Sequence, residues 1–124
     1  MTGVNYTKAD GARIMEKFRD TKALIVDLRC YPREFMIFDF IGRYFMPRTS
    51  PHVIWLAPTG ALPGVFHELQ DSLFVNPDNP AVAENPAYYK GRVIVLVDSS
   101  TQSQAEYTAM AFQATPSCTV VGTQ

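Results

Sequence analysis

The chain has 124 residues, 47% hydrophobic and 19% charged, which is the balance of a globular domain with one core and too little length for two. A net charge of −1, a pI near 6.1 and scattered basic residues give no electrostatic footprint for nucleic acid. Cys30 and Cys118 stand far apart and outside any CxxC or Cys/His ligand spacing, so no zinc motif is present, and they read as buried thiols or one disulfide.

Thr7 to Asp20, "TKADGARIMEKFRD", has the spacing of an amphipathic helix, with Ile14, Met15 and Phe18 as its apolar stripe. "KALIVDLR", Lys22 to Arg29, is a nearly continuous apolar run ending in charge, the pattern of a strand buried on both faces. Arg33 to Pro47 reads as a helix stopped by proline and apolar almost all round: Phe35, Met36, Phe38, Phe40, Ile41, Tyr44 and Phe45. Such a helix must be covered on more than one side, by the rest of a larger protein or by a second copy of the chain.

Pro51 to Pro58 is a short strand. Residues 59–89, rich in Pro, Asn and Gly, read as a long irregular surface excursion in which "GVFHELQDSLF" holds a short helix or strand. "GRVIVLVD", Gly91 to Asp98, is a second buried strand. A small-residue helix follows over about Gln102 to Ala114, and a third strand begins near Cys118. Strand, helix and strand in that order predict a right-handed parallel crossover within an α/β layer fold.

The junction "VDSSTQSQAE" admits two readings of Ser103. "SQAE" fits a capping box, in which the Ser103 hydroxyl accepts the third helical amide and Glu106 answers back; Ser100 and Thr101 could cap as well. Alternatively, a turn from the carboxyl end of a parallel strand into a helix presents a side chain at the crevice where α/β sheets bind ligands. It also aims backbone amides and the positive helix end at one point. A serine placed there is a candidate nucleophile, provided a base takes its proton.

"KALIVDLR", "YYKGRVIVLVDSSTQSQAEYTAMAFQ" and "CTVVGTQ" together resemble the catalytic domain of the C-terminal processing (tail-specific) serine peptidases and their tricorn-like relatives. In those peptidases a strand ending D-L-R precedes a glycine loop, a second strand leads to S-x-A-[ES], and a strand ending V-V-G-T follows. The three blocks occur here in order and cover about half of the chain. The resemblance implies a Clp protease/crotonase-like α/β core of parallel strands with flanking helices, here an incomplete catalytic domain over 1–124, and endopeptidase chemistry on polypeptides without a cofactor or metal.

Carried onto this chain, the resemblance makes Ser103 the nucleophile and the Gln104 amide one oxyanion donor. The second donor falls near Arg33, where "CYPRE" stands in place of the glycines. The lysine of the processing peptidases would lie beyond Gln124, and no histidine precedes Lys22 as in the tricorn-like branch. The base is therefore expected outside the chain. Within it, His67 beside Glu68 is the candidate retained, while His52, Lys22 and Lys90 read as structural or surface residues. Asp27, Glu106, Trp55 and the aromatics of 35–45 have packing or capping as their ordinary roles.

Two rivals differ in class: a degenerate peptidase domain that only holds peptides by adding a strand, and a crotonase-type acyl-CoA enzyme on the same core. A homo-oligomer or strand-exchanged dimer is expected, to hide apolar surface and open strand edges. No stretch reaches transmembrane length and no signal peptide opens the chain; the resemblance alone points to an extracytoplasmic setting.

Overall fold

The computed structural model describes residues 8–31 and 37–123. The elements are α1 (Lys8–Phe18), β1 (Ala23–Asp27), α2 (Ile37–Phe45), β2 (Ser50–Pro58), β3 (Phe66–Leu73), β4 (Arg92–Val97), α3 (Gln104–Gln113) and β5 (Cys118–Gly122). β1, β4 and β5 form a parallel sheet in that spatial order, with β4 central. β2 and β3 make a separate antiparallel hairpin. The Phe35 and Met36 part of the helix expected from Arg33 lies outside the described residues.

Register decides which side chains meet. Leu24, Val93 and Cys118 share one row of the sheet, and Val26, Val95 and Val120 the next. On this face Leu24, Val26, Val93 and Val95 are buried, together with Ile41, Phe45, Leu73 and Phe112. Phe45 is the hub, with Phe40, Tyr89 and Phe112 all edge-on to it at ring separations of 5.3–5.6 Å. Small residues let α3 lie close: Ala105, Ala111 and Thr108 are fully buried.

Two expectations are corrected. β1 and β4 are not buried on both faces: the opposite row carries Ile25, Ile94, Leu96 and Val121, of which Ile25 is 56% and Val121 49% exposed. The apolar run could not reveal this, because the run records what a strand can bury and not how many helices cover it. α2, in its described part, is covered by its own chain. Its Gly42 backs onto the Phe74 backbone, Phe40 and Tyr44 meet Gly11 of α1, and Phe45 meets Phe112 of α3.

Within the excursion over 59–89, "GVFHELQDSLF" holds a strand, one of the two structures its pattern allows. β3 occupies 66–73, and the remainder is anchored: Asn85 donates to the Arg43 carbonyl at the end of α2 (2.8 Å), and buried Tyr89 hydrogen-bonds Thr21. Pro, Asn and Gly here supply turns and side-chain hydrogen bonds to a path that crosses the protein.

Candidate functional site

The site is built where β4 ends and α3 begins. The turn over 98–103 is held from several directions. The Asp98 carboxylate accepts the Ser100 amide (2.8 Å) and hydroxyl (2.6 Å), and the Thr101 amide donates to the Asp98 carbonyl (3.0 Å). Thr101 is the buried pin. Its hydroxyl accepts the Asp98 amide (3.0 Å) and donates to the Leu28 carbonyl (2.9 Å), which joins the turn to the end of β1, 73 residues earlier. The Ser103 turn and the chain leaving "DLR" are thereby fixed to each other.

Within this frame Ser103 adopts φ 53° and ψ −110°, and it is the sole non-glycine residue with positive φ among the described residues. An ordinary N-cap sits in the extended region of backbone space. Both halves of the capping box are present: the Glu106 carboxylate accepts the Ser103 amide at 2.6 Å, and the Ser103 side chain stands as acceptor to the Glu106 amide. The cap is thus made from a backbone conformation that a cap does not itself require. A conformation of this kind costs about 1–3 kcal/mol in a non-glycine residue and persists only where neighbours enforce it. Its effect is to hold an exposed serine at a sharp strand-to-helix corner, as in a nucleophile elbow.

Gln104, the other residue expected at this corner, opens α3 directly after Ser103. Amides there point to the helix's N-terminal end, where the macrodipole favours negative charge. Arg33, the expected second oxyanion donor, lies outside the described residues.

Charge gathers at the same end of the sheet. The Asp27 carboxylate accepts the Arg29 guanidinium (2.8 and 2.9 Å) and the Arg29 amide (3.0 Å). These bonds hold its carboxyl down at about 2. Hydrogen bonds from Ser100 lower Asp98, with the Arg29 charge adding to the effect. Asp27 thus shapes the rim of the sheet, in keeping with its structural reading.

The histidines separate. His67 stands on β3 opposite Ala57, exposed and next to the hairpin tip. His52 is the extra residue of a bulge, since the β2–β3 register shifts between Pro51 and Val53. Its ring meets Tyr107 of α3 edge-on at 5.2 Å and lies near Phe38. Both ring nitrogens are buried without a hydrogen bond, and burial depresses its pKa despite the Asp71 charge. The histidine that reaches the Ser103 helix is therefore a packing residue, set against Tyr107, one turn along from the serine.

Sequence reasoning missed Asp71 and Tyr107. The Tyr107 hydroxyl donates to the Asp71 carboxylate at 2.5 Å, and burial together with this bond pushes its pKa up to about 12. Trp55, Phe38 and His52 surround the same ring. No local pattern joins residues 36 positions apart on a hairpin and a helix, so only an alignment of β3 with α3 could have found the pair. Lys22 and Lys90 are exposed, and both cysteines are free.

Residues 64–124 match the family model described as Peptidase family S41. The matched span runs from the hairpin tip through β4, the Ser103 turn, α3 and β5. It supports a serine peptidase family domain, with which the parallel sheet and its flanking helices are consistent. Comparison with curated proteins and with solved structures gave no match.

Proposed function

We propose that this domain carries out acyl transfer on polypeptides with Ser103 as nucleophile, as a peptidase of the C-terminal processing or tricorn-like kind on a Clp protease/crotonase-like core. One observation carries the reading: an exposed serine held at positive φ where a parallel strand turns into a helix. A cap needs no such strain, whereas a hydroxyl that must face a substrate carbonyl does.

In the proposed mechanism the Ser103 Oγ bonds to the scissile carbonyl carbon while its proton passes to a Lys or His supplied from outside residues 1–124. The Gln104 and Arg33 amides face the oxyanion. Collapse of the tetrahedral intermediate breaks the C–N bond, and the leaving amine takes the proton. Water then repeats the sequence on the acyl-enzyme and frees Ser103. His67 is the base this proposal sets aside: the hairpin residues that meet α3 are His52 and Trp55 through Tyr107's ring, and Asp71 through its hydroxyl. The resemblance to the processing peptidases supports an extracytoplasmic setting for this activity. Supplying the base from outside lowers the rate of the isolated chain by several orders of magnitude.

The test is covalent. In the full-length protein, where the base is supplied, a fluorophosphonate should label a single site, located by peptide mass mapping at Ser103, and Ser103→Ala should abolish the adduct. Absence of labelling with retained peptide binding would favour the degenerate peptide-binding module instead. Turnover of acyl-CoA without casein cleavage would favour the crotonase-type rival.

A further inference from the structure

The Ser103 turn has an apolar neighbour that packing within the chain leaves half open. Tyr107 lies one turn along α3, its amide bonded to the Ser103 carbonyl (3.0 Å). A helical side chain covers the surface over the turn N-terminal to its own Cα, which for Tyr107 is the Ser103 turn. Its hydroxyl is committed to Asp71, so the ring and not the phenol oxygen is what remains to offer a ligand. The Trp55 indole stands 5.1 Å from that ring and is 48% exposed. Leu69, directly opposite Trp55 across the hairpin, is 55% exposed. Trp55, Leu69 and Asp71 lie on the same hairpin face, because strand side chains alternate.

We infer that Trp55, Leu69 and Tyr107 form a subsite that seats an apolar or aromatic side chain of the polypeptide whose carbonyl faces Ser103. This rests on Ser103 being the reaction centre. The occupant follows from chemistry and place. Two aromatic rings and an aliphatic side chain give dispersion contact and area, and the tyrosine hydroxyl is already bonded to Asp71. The patch continues the Ser103 surface through Tyr107. The nearby Asp71 charge, already satisfied by the tyrosine, disfavours an acidic side chain. Ile54 and Leu56, equally exposed, occupy the opposite hairpin face and are not part of it.

The chain has one tryptophan, so indole emission reports on this subsite directly. Short capped peptides differing only in one residue, Phe or Asp, would be titrated into the wild type and into Ser103→Ala, which cannot turn them over. The Phe peptide should shift the emission saturably and bind about 10-fold or more tighter than the Asp peptide. Leu69→Asp, a change at an exposed position, should erase most of that preference, while Ile54→Ser on the other face should leave it intact. Equal affinity for both peptides, no change in emission, or equal damage from both substitutions would overturn the subsite. Selective binding without fluorophosphonate labelling of the full-length protein would instead sink the acyl-transfer reading alone, and labelling without selectivity would sink the subsite alone.

Discussion

At Ser103 the backbone carries more information than the side chain. With φ at 53°, glycine fits the corner and alanine inherits the strain. Ser103→Gly is therefore expected to be more stable than Ser103→Ala by about 1 kcal/mol, the strain released less glycine's extra entropy in the unfolded chain. Urea unfolding of the two variants measures the difference; equal midpoints would mean that the corner is unstrained.

Asp27 gives a second test at this scale. Its folded carboxyl lies near 2, below the unfolded value, because of the bonds from Arg29. The stabilisation is fully present above about pH 4 and is lost as the pH falls toward 2. Asp27→Asn should flatten the acid limb of a urea-midpoint profile in that window and leave its slope near pH 7 unchanged.

Among elements, the contact that seats α2 is set by the absence of a side chain. A Cβ on Gly42 would fall 3.0 Å from the Phe74 carbonyl carbon and 3.1 Å from its nitrogen, closer than ordinary packing permits. The backbone leaving β3 cannot retreat without dragging buried Leu73 and Val75 with it. Gly42→Ala should cost about 1–3 kcal/mol despite alanine's better helix propensity, as overpacking of a closed interface does. Chemical denaturation would show the loss, and a gain in stability would mean that α2 can slide. Since α2, the hairpin and α3 share this core, the loss should also loosen the Asp71–Tyr107 bond that ties the hairpin to the Ser103 helix.

For the whole molecule, the open face of the parallel sheet is the unsettled surface. Ile25, Ile94, Leu96 and Val121 stand in adjacent rows of that face, and the outer edges of β1 and β5 are unpaired among the described residues. Parallel sheets ordinarily have both faces covered. We propose that copies of the chain cover this face in each other, so the association expected from sequence is retained but relocated from the α2 region to the sheet. Sedimentation at high concentration should show a dimer that Ile25→Glu shifts toward monomer. A clean monomer for the wild type would remove the proposal. No helix among the described residues is long and apolar enough to cross a membrane.

The order of elements was legible from periodicity and breakers: apolar runs marked β1 and β4, small residues marked α3, and prolines bounded β2. The position of Ser103 between β4 and α3 was legible for the same reason, because a strand-to-helix junction is written in adjacent residues. Its positive φ was not, since φ at one residue depends on what braces it. Thr101 braces it by reaching Leu28 on another strand, and Glu106 by holding its amide. The bulge that buries His52, the meeting of Asp71 with Tyr107 and the one-sided cover of the sheet arise from contacts between segments distant in the chain. Local pattern determines what each segment can bury; only the packed chain decides which segment does the burying, and so which side chains are left facing Ser103.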